Sequence, residues 1–160
     1  MRVLMVCTGN ICRSPTAAAT FDHIASEMQL SGSVDTETCG LHGYHVGETP
    51  DARAVAAAKL RGIHIPPRPA RQIKSGDFAA FDLILAMDHG HLAELKRLCP
   101  PEYANKLQLF LSAASNDDVP DPYYGDTESF EHALNLIEEG SRAWLVRIAE
   151  NDWNDRADQI

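Results

Sequence analysis

Val3-Leu4-Met5-Val6-Cys7-Thr8-Gly9-Asn10-Ile11-Cys12-Arg13-Ser14-Pro15 is the stretch around which the rest of the chain arranges itself. The apolar run at its start has the composition of a short strand buried on both faces. Ser14 followed by Pro15 reads as an N-cap and first helical residue, so a helix opens soon after the strand ends. Between them lies a loop carrying a thiol, a glycine, an asparagine and an arginine. Gly9 lets the backbone turn under a ligand with no side chain in the way. Asn10 tolerates left-handed backbone and can hydrogen-bond locally. Amide N–H groups at a helix N-terminus face an anion, and Arg13 can close around it. A cysteine under the same positive ends loses its proton readily and becomes a nucleophile. Cys-x5-Arg spacing alone is a weak signal, since a cysteine at a strand end is often a packed, inert side chain. The flanking residues, each of which fits an anion loop, weigh the reading toward chemistry.

Outward from this loop, strands and helices alternate. Residues 2–6 read as a buried strand and 15–29 as a helix facing inward through Ala17, Ala18, Phe21, Ile24, Ala25 and Met28. A strand over 33–39 and a helix over 51–61, packed through Val55, Ala56 and Leu60, come next. Arg61-Gly62 ends that helix, and Ile63 to Ile65 is extended before Pro66-Pro67. Residues 82–86 form another buried strand, and Asp88 starts a helix with Leu92, Leu95 and Leu98 that stops at Pro100-Pro101. Lys106 to Phe110 is the last strand, followed by a polar loop over 112–127. The final helix covers 128–149, with Phe130, Leu134, Ile137, Trp144, Leu145 and Ile148 at helical spacing and Gly140 as a weak point. The expected fold is α/β: a three-layer sandwich with a central four-stranded parallel sheet and helices on both faces. Residues 1–160 read as one domain. Ligands of such sheets bind beyond the carboxyl ends of the strands, where Cys7 falls.

Hydrophobic and charged contents of 44% and 23% are ordinary for a soluble domain. A net charge of −9 argues against a nucleic-acid partner. It does not argue against a phosphate, because surface charges are screened beyond roughly 8–10 Å whereas Arg13 and the loop amides act at contact. No apolar run approaches the length of a membrane span and no signal-peptide pattern opens the chain, so a cytoplasmic location without membrane partners is expected. Cys7, Cys12, Cys39 and Cys99 lack the spacing of a zinc site or a disulfide framework and read as reduced thiols.

The loop closely resembles the phosphate-binding signature of the low-molecular-weight protein tyrosine phosphatases, and the resemblance runs nearly end to end. Asp121-Pro122-Tyr123-Tyr124-Gly125 resembles the general-acid loop of that family. Val46-Gly47 with Pro50-Asp51, Ala70-Arg71-Gln72, and Phe81-Asp82-Leu83-Ile84-Leu85-Ala86-Met87-Asp88 match as well, in the family's order. The resemblance implies an enzyme that hydrolyses phosphotyrosine and aryl phosphate monoesters through a cysteinyl-phosphate. Its partners would be tyrosine-phosphorylated proteins, with phosphate or other oxyanions in the site and with neither metal nor cofactor.

On that resemblance Cys7 is the nucleophile, and Arg13 binds two phosphate oxygens at once. Thr8, Gly9, Asn10, Ile11, Cys12 and Ser14 complete the phosphate-binding loop. Ser14 fits two roles, helix cap and donor to the Cys7 sulfur. Asp121, between Pro120 and Pro122, is the candidate acid. Expelling a phenolate, whose conjugate acid has a pKa of about 10, is easier with a proton delivered in step. Local sequence alone favours a solvated turn residue for Asp121; the resemblance is what makes it the acid. Ile11, Tyr44, Tyr123 and Tyr124 look like walls of an aromatic slot. Relatives acting on phosphoarginine carry threonine at the position of Ile11, so isoleucine favours phosphotyrosine. Cys12 either packs or, as the resemblance implies, forms a protective disulfide with Cys7 under oxidation. Thr38 and Asp88 match positions that support the loop. Arg68 stands where the family commonly has histidine; a cation there could brace the loop or meet phosphate.

Two other classes compete. Thiol-based arsenate reductases share the fold but relay oxidation through two further cysteines at close spacing, and Cys39 and Cys99 are isolated. A non-catalytic phosphate-binding module would not need Cys7, Arg13 and Asp121 together. The histidine pairs His42/His45 and His89/His91 lack a ligand set at zinc spacing and read as solvated side chains, so metal-independent chemistry is expected.

Overall fold

The first strand behaves as its composition demands. In the computed structural model, which describes residues 1–153, β1 (Arg2–Cys7) is buried on both faces from Val3 onward. Val3, Met5 and Cys7 point to one side of the sheet, and Leu4 and Val6 to the other. The remaining strands and α-helices are α1 (Arg13–Glu27), β2 (Asp35–Gly40), α2 (Ala52–Lys59), α3 (Asp77–Ala80), β3 (Leu83–Ala86), α4 (His89–Leu98), β4 (Leu107–Leu109) and α5 (Thr127–Ala149). Among the described residues the four strands are parallel, in the order β2-β1-β3-β4. Residues 154–160, the end of the expected single domain, lie outside the described residues.

Two cores separate three layers. Phe21 and Ile24 of α1 and Ile137, Trp144 and Leu145 of α5 pack on Val3, Met5, Leu83 and Leu85. Phe78 of α3 and Leu95 of α4 pack on Leu4, Val6, Ile84 and Ala86 across the sheet. The chain thus leaves β1 toward one face and β3 toward the other, and a crevice opens between their carboxyl ends. The loop after β1 occupies it.

Some boundaries differ from the sequence expectation. The N-cap of α1 is Cys12 rather than Ser14, and no side chain caps the helix. Arg13 and Ser14 are therefore helical, which leaves the first-turn amides open and the Ser14 hydroxyl free for other work. Helix α2 buries Ala54, Ala57 and Ala58 and packs Val55 half-buried beside them, whereas Ala56 is exposed and Leu60 is 83% exposed. Its apolar residues were too evenly spread for their spacing to reveal the inner face. Phe110, expected in the last strand, lies in a 3-10 turn after β4. Short α3 has no periodic signal in the sequence; it has four residues and is held by tertiary contacts, through buried Phe78, rather than propensity. Gly140 does not interrupt α5. A Cβ there would sit 2.5 Å from Phe110 Cε1 and 2.8 Å from Leu111 Cδ2, so glycine is required by close packing. No helix among the described residues is long and apolar enough to cross a membrane.

Candidate active site

The loop from Cys7 to Arg13 is held from outside by its carbonyls. Leu41 N–H donates to Cys7 O, His42 N–H to Thr8 O, Asp51 N–H to Ile11 O and Thr16 N–H to Cys12 O. No carbonyl among the described residues accepts from the amides of residues 8–13. A loop with four of its carbonyls engaged and its amide donors open suits an anion. Asn10 makes the turn possible with φ of 61°, in the left-handed region. Its side chain is almost fully buried; Nδ2 donates to Ser14 Oγ at 2.9 Å and Oδ1 accepts from Arg71 N–H at 3.0 Å. Gly9 has no positive φ; it is small because His45 lies over it, and a Cβ would come within 2.7 Å of His45 Cδ2. Gly40, at the end of β2, passes directly beneath the loop.

Cys7 sits at the carboxyl end of β1 with Ser14 Oγ 3.1 Å from its sulfur. Arg13 is 4% exposed despite its charge. Its Nη1 donates to Asp88 Oδ2 at 2.8 Å and to Val119 O at 3.0 Å, and its Nη2 donates to Thr8 Oγ1 at 3.3 Å. Such multiple anchoring fixes a planar guanidinium in one orientation. Val119 N–H donates in turn to Met87 O, which docks the start of the Asp121 segment on the end of β3. Asp121 is half-exposed, with Oδ2 3.6 Å from Arg13 Nη2 and Oδ1 accepting from Tyr123 N–H. The tertiary fold thus brings Asp121 to Cys7 and Arg13 across more than a hundred residues of sequence.

These groups line one cleft of about 290 Å³. Its walls include Ile11, Tyr44, Tyr123 and Tyr124, as expected, together with His45, which was not. Tyr123 and Tyr124 meet edge to face, with ring centroids 4.9 Å apart, and Arg53 stacks over Tyr123. His45 Nδ1 pairs with Glu48 Oε2.

Burial, reinforced by the Cys7, Asp51 and Asp121 charges, pushes the Cys12 thiol up to about 12, which keeps it protonated at neutral pH. Cys39 is buried on the far face of the sheet and is also pushed up, while Cys99 caps α4. Neither lines the cleft. Burial raises Asp88, but the His91 amide, the imidazole and Arg13 outweigh it and hold the carboxyl below the usual range. Thr38 borders the same small recess as Asn10 yet makes no hydrogen bond to it. Arg68 borders that recess too, with Asp22, and does not line the cleft of Cys7 and Arg13.

His91 corrects the sequence expectation. It is 6% exposed rather than solvated, and it touches Thr8, Arg13 and Asp88. The available signal was its place three residues after the capping Asp88, on the same face of the helix start. His89, by contrast, is exposed and pairs with Asp118. Among the described residues no group of three or more His, Cys, Asp or Glu side chains is placed to hold a metal ion.

Comparison with known proteins agrees with this geometry. Residues 2–154 match the model of a family described as low molecular weight phosphotyrosine protein phosphatase. A low molecular weight protein-tyrosine-phosphatase from Streptomyces coelicolor is 40% identical over 93% of this chain and 94% of its own. The solved structure of a protein tyrosine phosphatase from Entamoeba histolytica, with Hepes in the active site, superposes with a TM-score of 0.91 and 32% identity, covering 94% of this chain and 98% of that one. Vibrio vulnificus Wzb, solved in complex with benzylphosphonate, gives 0.81 and 32%, covering 91% and 97%. Sequence, architecture and the residues gathered at the end of β1 lead to one assignment: the chain belongs to the low molecular weight phosphotyrosine protein phosphatase family.

Proposed function

We propose that the chain is a cytoplasmic enzyme that hydrolyses phosphotyrosine in proteins, and small aryl phosphate monoesters, through a cysteinyl-phosphate. The observation that carries this reading is the convergence of Cys7, Arg13 and Asp121 on one cleft walled by tyrosines. The open amides of residues 8–13 and the guanidinium edge of Arg13 hold three phosphoryl oxygens. The same donors stabilise charge spread over those oxygens in the transition state. The Cys7 thiolate, steadied by the Ser14 hydroxyl, attacks phosphorus and forms the S–P bond while the P–O bond to the phenol breaks. Protonated Asp121 supplies the proton to the departing oxygen. Its carboxylate then takes a proton from water, whose oxygen attacks phosphorus and breaks the S–P bond, releasing phosphate and restoring the thiolate.

Ile11 and the tyrosines supply flat apolar walls for an aryl group. The relative solved with benzylphosphonate accommodates a ligand of that shape. Cys12 stays a protonated bystander in this cycle, and under oxidation it would close a protective disulfide on Cys7. The test compares phosphotyrosine, phosphoarginine and phosphoserine peptides in buffer containing EDTA. Turnover is expected for phosphotyrosine, lost in Cys7→Ser and Arg13→Ala, while Asp121→Asn slows poor leaving groups far more than good ones. Undiminished hydrolysis by Cys7→Ser would overturn the mechanism.

A further inference from the structure

Arg13 can serve the cleft only if its guanidinium keeps one orientation, and the structure holds it from two edges. On one edge Nη1 donates to Asp88 Oδ2 and Val119 O, both strong acceptors. On the other, Nη2 meets Thr8 Oγ1 at 3.3 Å and His91 Nε2 at 3.4 Å, with Asp121 Oδ2 farther away at 3.6 Å. A hydroxyl that accepts from Arg13 must place its own hydrogen somewhere, and the partner in reach is His91 Nε2, 2.8 Å away.

The direction of these bonds follows from the donors. Nε2 of His91 also lies 3.4 Å from Arg13 Nη2, which can only donate. Nε2 is therefore an acceptor, and the ring proton belongs on Nδ1, which lies 3.2 Å from Asp88 Oδ1 but makes no hydrogen bond to it. The ring is neutral in this arrangement. Burial, then the Arg13 charge, push its pKa down to about 4, against the opposing pull of Asp88, Asp121 and Asp118. Those are the charged groups facing it from its own helix cap, from α1 and from the Asp121 segment. The result is a connected set of hydrogen bonds: Arg13 to Thr8, Thr8 to His91, and Arg13 to Asp88, whose Oδ1 also accepts from the His91 backbone N–H.

We infer that His91 is a positioning residue of this site: its Nε2 accepts from the Thr8 hydroxyl and thereby orients the edge of Arg13 that grips the substrate phosphate. The inference rests on the phosphate-binding reading of the cleft, and it assigns to His91 no contact with the reacting atoms. Without the Nε2 acceptor, the Thr8 hydroxyl is free to rotate and the Nη2 edge loses its fixed partner. A cationic imidazole in the same place would also present N–H to N–H against Arg13, so neutrality is part of the device.

The two imidazole nitrogens can be separated by substitution. The amide of glutamine reaches the Nε2 position, whereas that of asparagine reaches only Nδ1. Inorganic phosphate affinity by calorimetry, kcat and KM with an aryl phosphate, and melting temperature are measured for each variant. His91→Gln is expected to stay within about threefold of wild type, and His91→Asn to lose about tenfold or more in phosphate affinity and kcat/KM. Thr8→Val, which removes the hydroxyl but keeps His91, should show the same loss, and adding His91→Asn to it should cost little more. Equal losses in the Gln and Asn variants, fully additive losses in the double variant, or unaltered phosphate affinity in Thr8→Val would each overturn the inference. Failure of the catalytic reading looks different: wild type would bind phosphate with this same variant pattern yet hydrolyse no aryl phosphate. A wild type that bound no phosphate would overturn both.

Discussion

Gly40→Ala probes whether the Cys7–Arg13 loop is seated on the sheet beneath it. A Cβ at this position would meet Thr8 O at 2.9 Å, Gly9 C at 3.0 Å and Asn10 N at 3.1 Å, all backbone atoms of the loop. The strand cannot retreat, because Gly40 N–H donates to Arg71 O and Gly40 O accepts from Ile73 N–H, both at 2.8 Å. The loop must therefore lift by about 0.5 Å to regain ordinary van der Waals separation. Overpacking of this kind costs about 1–3 kcal/mol, and a loss of about 2 kcal/mol lowers Tm by about 4–8 °C in a chain of this size. Displacing positioned groups by about 1 Å can cost about 100-fold in rate, so half that shift is expected to lower kcat/KM about tenfold. The assay pairs thermal unfolding with aryl phosphate kinetics, using Gly32→Ala as the control. No heavy atom lies within 4 Å of a Cβ at Gly32, and that variant should match wild type. A Gly40→Ala protein with wild-type kinetics and melting temperature would refute the claim that the strand end sets the loop's height.

Ser14→Ala removes the hydroxyl 3.1 Å from the Cys7 sulfur and the acceptor of Asn10 Nδ2. Hydrogen bonds to charged groups contribute about 1.5–3 kcal/mol, so kcat should fall about 10–100-fold in steady-state kinetics while the chain still folds. Stability should rise with pH from about 4 to the ordinary histidine value, because the unfolded chain protonates His91 in that window and the buried ring resists. Its contribution is of order 3 kcal/mol, present in full above the unfolded pKa and lost as pH falls toward about 4. Denaturant titrations across that range should show a shallower slope in His91→Gln. Asp88, held below the usual carboxylate range, adds stability that persists above its unfolded pKa and disappears only at lower pH still.

The strand–loop–helix at residues 2–29 was legible because its signals are local: an unbroken apolar run, then Gly9, Asn10 and Pro15 at positions with narrow backbone demands. Resemblance extended that reading to Asp121, whose own neighbourhood looks like a solvated turn. Three residues at the site escaped. His91 lies on a helix start where histidines are usually exposed, and only the packing of α4 against the loop buries it. Gly40 has no positive φ to betray it; its need for a hydrogen in place of Cβ arises from a loop over thirty residues earlier in the chain. His45 became a wall of the cleft because it lies over Gly9.

Sequence by itself determined the alternation of strands and helices and singled out the loop and thiol of the candidate site, since those depend on periodicity, turn chemistry and residues within one turn of each other. Only the tertiary structure decided which surfaces met. It placed the Val119 carbonyl and Asp88 on the same guanidinium edge, freed Ser14 from capping, and brought Thr8 and His91 to the other edge of Arg13. The physical reason is that orientation in a buried polar site depends on partners contributed by distant segments. Their distances exist only once the sheet order has brought the ends of β1 and β3 side by side.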